Sequence, residues 1–110
     1  MTERSFERLL LEAVDEALVS LGASARKAIY FHLENRFKIA RNEIPDHVEA
    51  FSKGLENIFG VGAQFLEILM MKKLHERIGK PLIWDESREL AFTSYVEEAK
   101  RSYLNRTKPK

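Results

Sequence analysis

Cysteine is absent from the 110-residue chain. That removes disulfides, thiolate nucleophiles and cysteine-held zinc or iron–sulfur centres, and it is compatible with a reducing compartment. Glycine and proline are scarce, five and three residues respectively, so long stretches are free to follow a single period between breaks. No run is long and apolar enough to span a bilayer. The opening MTERSFERLL interrupts its short apolar stretch with charge, so neither a secretory leader nor a membrane anchor is expected. A net charge of +1 is too small to imply a general polyanionic partner. These absences together predict a cytoplasmic protein with no membrane partner.

The charge that is present changes sign by segment. Residues 1–22 and 46–60 are net acidic, whereas 23–45, 61–80 and 81–110 are net basic. Such alternation suits neighbouring helices with complementary surfaces at least as well as it suits one basic face. Hydrophobic residues make up 45% of the chain, enough for one core at this length, and no repeat or low-complexity tract divides it.

Hydrophobic spacing predicts helices throughout. Phe6, Leu10, Ala13, Val14, Ala17, Leu18 and Leu21 recur at intervals of three and four and form one stripe, which Gly22 should end in a left-handed conformation. Ser24 is placed to cap a second helix, SARKAIYFHLENRF, with Ala25, Ala28, Ile29, His32 and Leu33 on its apolar face and Tyr30 and Phe37 widening it. KIARNEIP lacks a helical period and reads as a connector, since Pro45 biases Ile44 away from helix. Asp46 then caps a third helix, with Glu49 in the capping-box position and a stripe of Val48, Phe51, Leu55, Ile58 and Phe59.

The segment AQFLEILMMKKLHERIG is apolar on more than one side. Ala63, Phe65, Leu66, Ile68, Leu69, Met70, Met71, Leu74 and Ile78 mark it as a central helix packed by several neighbours, stopped by Gly79 and Pro81. PLIW reads as an extended pass, and Asp85 as the cap of a last helix with Phe92, Tyr95, Val96, Ala99 and Tyr103 inward. No stretch alternates long enough to make a strand. The expected fold is all-α: a compact, single-domain bundle of about five helices over residues 1–104, followed by a basic flexible tail, residues 105–110.

Few side chains suggest chemistry. His32 reads as a partly buried, hydrogen-bonded ring, and no two histidines have metal-ligand spacing. The acidic pairs Asp15-Glu16 and Glu97-Glu98 are adjacent on helices and point apart, which is unsuited to joint acid–base work. With no nucleophile motif and no phosphate loop, the expectation is a non-enzymatic chain with no cofactor and no metal.

Gly60-Val61-Gly62 is the one punctuation that invites a functional reading. A dinucleotide loop needs a third glycine where Phe65 stands, and a strand before it. IFGVGAQFLEIL resembles instead the helix-hairpin-helix motif, two helices joined by a Gly-x-Gly turn whose backbone N–H groups contact DNA phosphates. That resemblance implies a nucleic-acid contact through Gly60 and Gly62, with Lys72, Lys73 and Arg77 as accompanying cations, or Arg26, Lys27 and the tail. The simpler alternative is that Gly60 ends one helix and Gly62 lets the chain turn into the next.

A second resemblance runs from Leu21 to Ile78. LGASARKAIYFHLENRF, EIPDHVEAFSKGLENIFGVGA and LMMKKLHERIG, in that order, resemble a small archaeal helical domain, the Nitrosopumilus output domain family, found alone or attached to signalling proteins. It implies an intracellular regulatory or interaction role and carries over no catalytic, cofactor or ligand residue. The expected function is therefore a regulatory or protein–protein interaction module whose partner is a protein, either itself or a signalling partner. Phe31, off the main face of its helix, and Tyr30 are candidates for the contact surface, although core packing is the favoured account of Tyr30 and of Met70-Met71, and the alternative for Phe31 is packing under the 38–45 connector. Nucleic-acid binding is the alternative.

Overall fold

In a computed structural model, residues 3–79 and 92–106 are described; the expected PLIW pass, the Asp85 cap and residues 107–110 of the tail lie outside them. The described residues are all-α and compact. They form α1 (Glu3–Val19), α2 (Ala23–Phe37), α3 (Val48–Phe59), α4 (Ala63–Ile78) and α5 (Phe92–Arg106), with 3-10 turns at Arg41–Asp46 and Gly60–Gly62. Helix α5 continues through Arg106, two residues past Leu104, where the helical domain was expected to end.

The stripes do what their spacing predicts in α1, α3 and α5. Phe6, Leu10, Ala13, Val14, Ala17 and Leu18 are buried, as are Phe51 and Leu55, and Phe92, Tyr95, Val96, Ala99 and Tyr103 close the core from the C-terminal side. Helix α4 packs against α1, α3 and α5 and buries Leu66, Met70, Met71, Leu74 and Ile78, so the two methionines are core. Burial of these side chains is the dominant favourable term in such a fold. Gly54 is buried on α3 because α2 lies close over it: a Cβ there would sit 2.8 Å from Leu33 Cδ2.

Helix α1 runs antiparallel to α4, which the charges record. Glu12 meets Arg77 at 3.4 Å, and Glu16 meets Arg77 at 2.6 Å and Lys73 at 3.2 Å. These pairs are partly exposed and individually weak, yet they fix the register of the two helices. The alternating segment charges are thus partly spent between neighbouring helices.

Helix boundaries depart from expectation where capping was read from side chains. Gly22 has φ 107 and ψ 149, outside the left-handed helical region, and it is the N-cap of α2; Ser24 sits inside the first turn and caps nothing. Helix α2 ends without glycine. Lys38 takes the left-handed conformation, φ 59 and ψ 35, and the Ile39 N–H bonds back to the Leu33 carbonyl at 3.1 Å. Burial of Ile39 supplies the hydrophobic contact that accompanies this kind of helix end.

The expected connector contains the Arg41–Asp46 3-10 turn with Pro45 inside it, anchored by buried Ile44 and by the Glu43 carboxylate accepting the Ala40 N–H at 3.0 Å. Because that turn runs through Asp46, His47 becomes the N-cap of α3, and no side chain caps it. Glu49 pairs with Lys53 at 3.5 Å instead of closing a capping box. Leu21, expected in the α1 stripe, lies beyond the helix end and is exposed.

Candidate interaction face

Helix α4 presents its core face to three neighbours; on its other side Ile68 and Leu69 still pack partly against the core, and among the described residues no helix covers Phe65. Around α4, at 100° per residue, Phe65, Ile68, Leu69 and Lys72 share one side, whereas Leu66, Met70 and Leu74 share the other; Val61 stands in the 3-10 turn just before the helix. Val61 is 93% exposed and Phe65 77% exposed, the two largest exposures among the large apolar side chains, and Ile68 and Leu69 are half-buried. The expectation that Phe65 lies in the core is therefore overturned. The reason is rotational: with α1, α3 and α5 gathered on one side of α4, the described residues place no helix on the fourth.

The glycine corner displays this face. Gly60 has φ 60 and ψ −134 and receives the end of α3, its N–H bonded to the Glu56 carbonyl. Gly62 is helical, φ −66 and ψ −19, and Ala63 donates back to the carbonyls of Gly60 and Val61. Gly60 thus supplies the conformation that the turn requires, and Gly62 needs none of glycine's freedom.

The cations named with the turn are not gathered at it. Lys73 and Arg77 are held by Glu16 and Glu12 of α1, and Lys72 lies ten residues beyond Gly62, roughly 15 Å along the helix. Among the described residues Lys72 makes no ion pair.

Tyr30 and Phe31 part company. Tyr30 is half-buried, and its hydroxyl donates to Asp15, which also accepts from Arg41 through Nε at 2.9 Å and through Nη2. Burial and the neighbouring Asp15 carboxylate push the Tyr30 phenol well above its ordinary value. At Asp15 burial acts upward, but the bonds from Arg41 and Tyr30 outweigh it and hold the carboxyl below its usual range. This cluster latches the Arg41–Asp46 turn onto α1 and α2 and employs Tyr30 in the fold. Phe31 is 57% exposed, in edge contact with His32 at 5.9 Å between centroids. His32 is itself exposed rather than partly buried, and so is Ala28. Helix α2 packs on α1 and α3, so Phe31 and the α4 face belong to separate surfaces.

Glu67, which no sequence motif marks, is 4% exposed on α4 facing α3. Ser52 donates its hydroxyl to Glu67 Oε2 at 2.5 Å. Burial pushes the carboxyl up, the Ser52 bond opposes this, and the charge of Glu56 adds to the rise. A signal existed: position 67 lies among apolar neighbours on the inward side of α4 once Leu66 and Met70 are placed. A carboxyl held above its unfolded value stabilises the fold below that value, and the contribution is lost as pH climbs through the folded one. Glu67→Gln keeps an acceptor for Ser52 and cannot ionise. It is expected to match the parent near pH 4 and to exceed it by about 1 kcal/mol near pH 8 in urea melts. A difference that stays constant across this range rules out ionisation of Glu67 as its cause.

Two concavities adjoin the start of α3: a wide-open, solvent-facing depression of about 540 Å³ bordered by Asp46, His47, Glu49, Lys53, Thr93 and Glu97, and a smaller, more enclosed one beside it. The smaller, of about 50 Å³, lies between α1, α5 and the start of α3, lined by Phe6, Leu10, Val48 and Val96; ligand pockets typically have about 300 to 1,000 Å³. Among the described residues no cluster of His, Asp or Glu is placed to hold a metal ion, and no helix is long and apolar enough to cross a membrane. No protein-family model, characterised protein or solved structure matches the chain.

Proposed function

We propose that this chain is a protein-interaction module that binds through the outward face of α4. The observation that carries this reading is the pair Val61 and Phe65, 93% and 77% exposed and one helical turn apart at the head of a helix whose opposite side is core. Large apolar side chains grouped on one face mark contact surfaces, and aromatic residues are enriched at the buried centres of such contacts. The regulatory role implied by the output-domain resemblance belongs to the same proposal. The nucleic-acid alternative is less well supported, since Lys73 and Arg77 are engaged by α1 and the glycine turn presents apolar side chains where a phosphate site would need cations.

The test is photo-crosslinking in producing cells, with a photoreactive phenylalanine analogue in place of Phe65 and, as control, in place of Lys53 on the polar side of α3. The expected result is a protein adduct of defined mass from position 65 alone, lost when Val61 is also changed to Ser. Adducts of equal yield from both positions, or adducts to nucleic acid only, overturn the reading.

A further inference from the structure

We infer that the cleft at the start of α3 is a second docking site, which takes an aliphatic side chain of a partner peptide in its enclosed end and a neighbouring lysine or arginine of that peptide on its acidic rim. The two concavities there form one cleft, because Pro45, Val48, Thr93 and Glu97 wall both. The Arg41–Asp46 turn delays the start of α3 to Val48. This sets Pro45 and Val48 beside Phe6 and Leu10 of α1 and Val96 of α5 without closing the space between them. Among the described residues none of α4 borders the cleft, so the inference is independent of the α4 face.

The enclosed end, about 50 Å³, is several times the roughly 10 to 15 Å³ that one water takes. Its walls are mostly apolar, so water gains little there and the branched end of a leucine or valine fits it. The open end is wide and faces solvent, which lets a charged side chain lay its stem against Pro45 and Val48 while its head stays wet.

Charge selects the occupant. Glu7, Asp46, Glu49 and Glu97 line the cleft against two ammonium groups, Lys53 and Lys100. Lys53 is taken by Glu49 at 3.5 Å, and Lys100 is drawn to Glu3, outside the cleft, at 3.7 Å. Glu7, Asp46 and Glu97 therefore have no ion-pair partner among the described residues. Acids at a helix start complement its dipole, which accounts for Asp46 and Glu49, but that effect fades beyond the first turn. Glu7 and Glu97 lie deeper in α1 and α5 and converge on the cleft from two helices. The α3 N-terminus alone would favour an anion; the four carboxylates around it turn one away and complement a cation.

The test is a titration of the isotope-labelled full chain, followed by amide NMR shifts, with three capped tripeptides: Lys-Leu-Lys, Lys-Gly-Lys and Glu-Leu-Glu. Lys-Leu-Lys is expected to shift the amides of Phe6, Leu10, Val48 and Val96 and to saturate with a Kd on the order of 1 mM. Loss of the leucine side chain is expected to weaken binding about fivefold, and reversal of the peptide charge about tenfold. Two variants read the two ends separately. Val48→Leu, at a half-buried position, occupies the enclosed end and is expected to abolish the advantage of Lys-Leu-Lys over Lys-Gly-Lys. Glu97→Lys, at an exposed position, is expected to abolish its advantage over Glu-Leu-Glu. Helical circular dichroism of both is expected to match the parent. Absence of cleft shifts up to about 10 mM, equal binding of the three peptides, or variants that bind like the parent overturn the docking site. Cleft binding without an adduct from position 65 leaves this site standing and removes the α4 reading; the reverse outcome removes only this site.

Discussion

Leu66→Ala is expected to cost roughly 2 to 5 kcal/mol of unfolding free energy, while Phe65→Ala, one residue away and deleting a larger side chain, is expected to change it by about 0.5 kcal/mol or less. Leu66 is 7% exposed and sits on the inward side of α4 among Met70 and Leu74; its removal leaves a cavity that close-packed neighbours fill only in part. Phe65 is on the opposite side, and its ring gives up little on truncation because it buries little in the monomer. Urea melts of the two variants at low protein concentration, with equal slopes, provide the comparison. Equal losses from both variants refute the assignment of Phe65 to an uncovered face. A Leu66→Ala chain that melts like the parent refutes the packing of α4.

Gly60→Ala is expected to cost roughly 1 to 3 kcal/mol, and Gly60→Asn about the same. An added Cβ at residue 60 meets nothing within 4 Å, so the penalty comes from the backbone alone. With φ 60 and ψ −134, Gly60 occupies the region that the first central residue of a type II′ turn adopts and that other L-residues avoid. Asparagine eases the left-handed helical region, where ψ is positive, and so gives no rescue here. Gly79 provides the internal control. Its φ 77 and ψ 24 are left-handed helical, so Gly79→Asn is expected to be tolerated. Denaturant melts of the three variants separate the positions; a neutral Gly60→Ala removes the strained conformation from the account of the corner.

Sequence alone determined which segments are helical and which residues of α1, α3 and α5 turn inward, because a helix with one apolar stripe has only one way to bury it. Phe6 through Leu18, Phe51 with Leu55, and Phe92 through Tyr103 were readable for that reason. It also located the corner at Gly60, since a break between two apolar runs needs a residue with free backbone. Capping was less legible. Ser24 and Asp46 have the right chemistry for N-caps, but α2 starts from Gly22 with no side-chain cap, and the 3-10 turn anchored by buried Ile44 runs through Asp46 and moves the start of α3 to His47.

The candidate face depended on tertiary structure almost entirely. Helix α4 is apolar on nearly every side, so its sequence offers no preference for which part is covered. Phe65 and Leu66 are equivalent by composition and separated only by the 100° that α1, α3 and α5 convert into outside and inside. The same arrangement turned Tyr30 toward Asp15 and Arg41, paired Lys73 and Arg77 with α1 while leaving Lys72 free of an ion pair among the described residues, and buried Glu67 against Ser52. A charge or an aromatic ring acquires its role from what lies across from it, and that neighbour is chosen by long-range packing, which periodicity along one helix does not encode.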